Sequence, residues 1–163
     1  MIQFTQKGRF GRTLLLAGVA LGASLMASAA AFAGECPADQ KKPGAQKPVD
    51  VGHEGVTDTV IAMIDVEKEP AKIKDTKFRM RKLTIAPGAT VPWHSHGERP
   101  AIIYIIEGDI EEYASNCAVP SVHKAGDVVA ETHEVSHWWK NTGDDTVVLI
   151  SADLLKDPSD KNM

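Results

Sequence analysis

From residue 56 onward the chain is a succession of short apolar or alternating runs, each broken by Gly, Pro, Asn or Asp. Residues 56–66 are rich in Val, Ile, Thr and Met. Residues 77–85 alternate charged and apolar side chains, which predicts a strand whose charged face is wet. Residues 101–106 are continuously apolar and read as a strand buried on both sides. Gly108-Asp109 makes a turn, residues 110–113 continue outward, and 128–129 and 136–140 are further short strands. Residues 141–145 form a turn before a last strand at 146–152. No run has a helical period of useful length, apart from a weak one at 153–156. Many short strands between turn residues leave an all-β sandwich or barrel as the fold class.

Three histidines fall within this β pattern. His94 and His96 are one residue apart, and His137 follows about forty residues later, ahead of Trp138, Trp139, Lys140 and Asn141. Side chains at i and i+2 of a strand point to the same face. A His-x-His strand therefore aims two imidazoles at one spot, and a third from another strand would complete a metal site.

The N-terminus has the pattern of an export signal. Lys7, Arg9 and Arg12 precede a Leu/Ala/Val/Gly run and an A-x-A site at Ala31-Phe32-Ala33. Four segments are expected: a signal peptide at 1–33, an extended arm at 34–55 rich in Lys and Pro, a β-barrel at 56–156 and a tail at 157–163. Removing 1–33 takes away three cations and no anion, so the charge falls from −4 to −7. That acidity argues against nucleic acid as a partner, and no apolar run long enough to insert in a membrane follows residue 33. Export to the periplasm or the extracellular space makes a disulfide between Cys36 and Cys117 the natural expectation, within one chain or between two.

The histidine spacing resembles the cupin superfamily. Its first motif, G-x5-H-x-H-x(3,4)-E-x6-G, is matched by Gly88, His94, His96 and Gly108. Its second, G-x5-P-x-G-x2-H-x3-N, is matched by Gly126, His137 and Asn141. The resemblance covers 77 to about 152 and implies a double-stranded β-helix, the jelly-roll barrel, in one domain. It also implies a divalent first-row metal (Fe, Zn, Mn, Ni or Cu) held by His94, His96 and His137, a small-molecule ligand or substrate, and a homodimer.

Three positions depart from the motifs. Ala101 stands where the family's carboxylate ligand belongs, and Thr132 and Glu134 replace the second motif's Pro and Gly. The expectation is thus a three-histidine site lacking its glutamate, with the ion's full double charge exposed. Glu98 and His133 are candidate extra ligands, although Glu98 reaches the ion only if Gly97 bends the chain. Glu131 and Glu134 are read as solvated, and His53 and His123 as surface residues. Glu98 and Arg99 are candidate catalytic groups, Arg99 as a clamp for a carboxylate or as a solvated loop residue. Ala101, Ile103, Ile105 and Trp139 are expected to line the cavity, and Tyr104 to be core.

Two functions compete at this point. One is a metal-dependent enzyme acting on a small organic acid, dioxygenase-like or a lyase, isomerase or hydrolase. The other is a non-catalytic cupin module that binds a ligand or a metal.

Overall fold

A computed structural model describes residues 35–156. Nine strands are present: β1 (Val56–Asp65), β2 (Lys77–Ile85), β3 (Thr90–Ser95), β4 (Ala101–Glu107), β5 (Asp109–Ala114), β6 (Ser121–Lys124), β7 (Val128–Glu131), β8 (Ser136–Lys140) and β9 (Val147–Leu155). They form a five-stranded sheet in the order β1-β2-β9-β4-β7 and a four-stranded sheet in the order β3-β8-β5-β6. Every pairing is antiparallel. The two sheets face each other as a double-stranded β-helix without a hydrogen-bonded seam between them.

The interior is filled by alternate residues of facing strands, as a two-residue period requires. Leu83 and Ile85 of β2, Ile103 and Ile105 of β4, Ile110 of β5, Trp139 of β8 and Val147 and Leu149 of β9 make one cluster. Asn141, fully buried, closes the end of β8. Its amide donates to the Ile85 and Asp145 carbonyls, and its oxygen accepts from the Gly143 amide.

Four sequence expectations are corrected here. β4 is buried on one face only: Ile102, Tyr104 and Ile106 point outward, so Tyr104 is not core. Residues 153–155 complete β9 rather than starting a helix. β6 lies in a stretch where no strand was expected. The fourth correction is β2, whose phase is the reverse of a wet charged face. Arg79 and Arg81 share parity with Leu83 and Ile85, and packing those two apolar side chains inside takes both arginines inward as well. Phe78 and Met80 are left on the outside.

Burying guanidinium groups costs several kcal/mol each unless they are paired. Here the pairing comes from Asp153, which lies opposite Arg79 in the β2–β9 register. Asp153 accepts two hydrogen bonds from Arg79, at 3.0 and 2.7 Å, and one from Arg99 at 2.8 Å. Arg81 stands 3.4 Å from the same carboxylate and donates to Asp58 at 2.6 Å.

The arm before β1 is tied down. Cys36 and Cys117 form a disulfide within the chain. The backbone of Lys42 donates to Asn116 and that of Ala118 to Gln40, so the arm runs along the β5–β6 connection. The expected signal peptide and C-terminal tail lie outside the described residues.

Candidate metal centre

His94 and His137 are direct cross-strand partners in the β3–β8 pair. This register is interrupted by a bulge between Val91 and His94, at Pro92-Trp93. Proline has no amide to give a ladder, which suits it to a bulge, and the Pro92 carbonyl accepts the Nδ1–H of His94 at 2.9 Å. His96 lies just beyond β3 and its Nδ1–H donates to the Arg99 carbonyl at 3.0 Å. The Nδ1–H of His137 donates to Glu112 at 2.5 Å.

A carbonyl or a carboxylate accepts from each Nδ1–H, so each ring, when neutral, has its Nε2 available as a ligand atom. The three Nε2 atoms nevertheless converge: His137 Nε2 is 3.1 Å from that of His94 and 3.1 Å from that of His96. Contacts this short between ring nitrogens need a shared proton or a cation among them. Ligand atoms about 2.1 Å from one ion stand about 3.0–3.4 Å apart in octahedral or tetrahedral geometry, so the spacing fits a shared first-row ion.

A carboxylate completes the group, from an unexpected position. Glu131 Oε2 is 2.6 Å from His96 Nε2, and Oε1 is 3.4 Å from His137 Nε2. All four candidate ligand atoms lie within 4.8 Å of one another, and all four residues are buried. Glu131 is therefore not solvated, and the centre does not lack a carboxylate. Ala101 and Glu131 are register partners in the β4–β7 pair. The acid missing from β4 is supplied from the neighbouring strand, directly across from the expected place. With it, the donor set carries one negative charge and would leave a divalent ion at a net single positive charge.

Burial lowers the pKa of His94 to about 2, helped by the charge on His137. Burial also opposes charge on His137, but Glu131 and Glu112 outweigh it and raise its pKa. Burial alone would raise the pKa of Glu112; hydrogen bonds from His123 and His137 reverse this and bring it to about 2.

Behind His137 lies a relay that the sequence did not announce. Glu112 of β5 accepts from His137 with one oxygen and from His123 Nε2, at 2.9 Å, with the other. His123 is wholly buried and stacks on Trp139 at a ring separation of 4.7 Å, which corrects its assignment to the surface. Such carboxylate–histidine contacts orient a ligand ring and raise its basicity.

The remaining candidates divide. Ala101, Ile103, Ile105 and Trp139 are all buried, and Ile103 and Trp139 line a cavity of about 20 Å³ beside His94, His96 and Glu131. Glu98 is not a ligand. Gly97 does bend the chain, at φ 29°, but the bend turns Glu98 outward, where it is 81% exposed and faces Lys156 at 3.5 Å. His133 is 73% exposed in the β7–β8 turn and is no ligand either. Arg99 is not solvated: it is buried and clamps the chain's own Asp153. His53 is exposed, as expected. A recess of about 410 Å³ approaches Glu112, Glu131 and His137 from the other side, walled in part by Cys36 and Lys41 of the tied arm.

Comparison with known proteins agrees with this geometry. Residues 81–153 match the family model described as Cupin domain. Germin-like protein 5-1 of Oryza sativa subsp. japonica is 27% identical over 97 residues, which span 58% of this chain and 43% of that protein. The chain thus matches less than half the length of this curated relative. Among solved structures, a double-stranded β-helix protein from Klebsiella pneumoniae superposes with a TM-score of 0.51 at 17% identity, covering 67% of this chain and 84% of that one. The cupin domain of Schizosaccharomyces pombe Cnp3 gives 0.49 at 18% identity, over 66% and 70%. At such identities the solved structures speak to fold alone.

Proposed function

Because the chain belongs to the cupin superfamily, we propose that it is a metal-dependent enzyme of the cell envelope acting on a small organic acid. The observation that carries this reading is the convergence of three Nε2 atoms and the Glu131 carboxylate on one buried point. His94, His96, His137 and Glu131 would hold a divalent first-row ion, Fe, Zn, Mn, Ni or Cu, since a mixed imidazole–carboxylate set suits all of them. The ion supplies Lewis-acid polarisation and open coordination positions.

The chain's own residues do the rest. The Pro92 and Arg99 carbonyls and Glu112 hold the three rings in their tautomers. Ile103, Leu149 and Trp139 keep the cavity walls apolar, which strengthens every charge interaction inside. Residues 56–156 act as the barrel, and residues 34–55 as an arm fixed by its disulfide. Export, with residues 1–33 as the signal, is supported by that bond, since disulfides persist in oxidising compartments.

A binding module without turnover is favoured by one feature. Besides His94, His96 and Glu131, Arg81 is the single titratable residue among those lining the small cavity, so no separate acid–base pair stands there. The test is to strip the protein with a chelator, reload it with Mn, Fe or Zn in turn, and follow O₂ uptake and products from a panel of small organic acids. Conversion by a loaded form and none by the stripped form is expected. Ligand-induced thermal shifts with no product from any loaded form would replace the enzyme by the module.

The proposal includes a homodimer. Its support is the apolar outer face of the larger sheet, where Ile64, Phe78, Met80, Ile102 and Tyr104 are all exposed, a patch of the kind that marks an interface. Sedimentation should give twice the chain mass. A monomer at micromolar concentration would rule the dimer out.

A further inference from the structure

We propose that Arg81 forms a carboxylate-binding subsite inside the barrel, and that the molecule taken up is a carboxylate of one or two carbons. This deepens the reading above and rests on it for the position of the metal, but the anion contact itself belongs to Arg81.

Arg81 is held inside by the parity of β2, and its side chain is only 4% exposed. Nη1 donates to Asp58 at 2.6 Å and Nη2 to Ser151 Oγ at 3.2 Å. Nε is buried and has no hydrogen-bond partner among the described residues. An unmet donor on a buried cation is costly, about 1–3 kcal/mol or more, and such a group in a cavity marks a place for a ligand. On a guanidinium, Nε–H and one Nη–H point the same way, a fork that matches the two oxygens of a carboxylate.

The cavity that Arg81 lines is shared. Arg81 and Ser151 line it together with His94, His96 and Glu131, and most of the remaining wall is apolar. A carboxylate seated on Arg81 thus has its substituent directed among the candidate metal ligands. Asp153 is committed most closely to Arg79 and Arg99, and its contact with Arg81 is the long one, at 3.4 Å, so Asp58 is the carboxylate paired most closely with Arg81. Size sets the limit: about 20 Å³ is little more than one water needs by the same kind of measure, so only the smallest acids fit.

The probes are sodium formate, acetate and butyrate, added to metal-free protein and followed by calorimetry and thermal shift against matched sodium chloride. Formate and acetate should bind and raise Tm, and butyrate should not. Arg81→Lys keeps the charge facing Asp58 but loses the fork, and should weaken formate binding about ten- to hundredfold, the worth of a charge-assisted hydrogen bond. Ser151→Val leaves every ion pair in place while crowding the Arg81 end, and should weaken it similarly. Unchanged formate affinity in Ser151→Val, or in a folded Arg81→Lys, overturns the subsite, and butyrate binding as tightly as formate overturns the size limit. Metal uptake, measured in parallel by chelator competition, should be equal in parent and variants. If the parent takes up no metal yet binds formate through Arg81, the metal reading fails and the subsite stands. If it takes up metal but binds formate no differently without Arg81, the subsite fails and the metal reading stands.

Discussion

Glu131→Gln should weaken metal binding by more than about a hundredfold. Loss of a group that merely orients a ligand costs about 10–100-fold, whereas Glu131 is proposed as a ligand itself, bringing the only negative charge in the donor set. Glu112→Gln, which among the candidate ligands alters the support of His137 and also changes the contact with His123, sets the lower benchmark and should fall within that 10–100-fold range. Competition with a chromophoric chelator measures both. The position of Glu131 opposite Ala101 allows a stricter check. In the double variant Ala101→Glu with Glu131→Ala, the carboxylate moves one strand over and should recover affinity to within about tenfold of the parent, since the same charge is restored beside the same rings. Parent-like affinity in Glu131→Gln would return the site to three histidines alone.

The second large effect is on stability. Asp153→Asn should destabilise the fold by about 3–5 kcal/mol, because it leaves buried guanidinium groups facing a neutral amide. Asp153 is 1% exposed and touches Arg79, Arg81 and Arg99. Denaturant unfolding measures the loss, and a change below about 1 kcal/mol would mean that the cluster contributes little. The pH dependence follows from the same contacts. Burial pushes the pKa of Asp153 up, but hydrogen bonds from Arg79 and Arg99 and the charge of Arg81 outweigh it and hold it below its ordinary 3.8. A carboxyl group with a depressed folded pKa stabilises the protein fully above its unfolded value, and this contribution is lost as the pH falls through the folded one. The parent should therefore lose stability below about pH 4 more steeply than Asp153→Asn.

These two residues show why part of the molecule was legible and part was not. The β class and the histidine triad could be read because they rest on local spacing: turn residues punctuate the strands, and i, i+2 parity sets which way the rings point. Glu131 and Asp153 act through cross-strand partners 30 and 74 residues away, at Ala101 and Arg79, and no window of sequence contains such a pairing. A signal for Glu131 was present all the same. It shares parity with Val129, and extending that short strand by two residues would have turned its carboxylate inward. β2 was read with the wrong face wet because alternating charge usually means solvent. Leu83 and Ile85, at the same parity as Arg79 and Arg81, were the stronger constraint. His123 sits in a four-residue strand, too short for its alternation to be distinguished from a loop.

The most direct test of the shared ion is metal analysis of the purified parent beside His94→Ala. The parent should carry close to one equivalent of a first-row metal per chain, and the variant should lose most of it while keeping its β-sheet circular dichroism. The same trace amount of metal in both proteins would contradict the account, whatever either of them binds or converts.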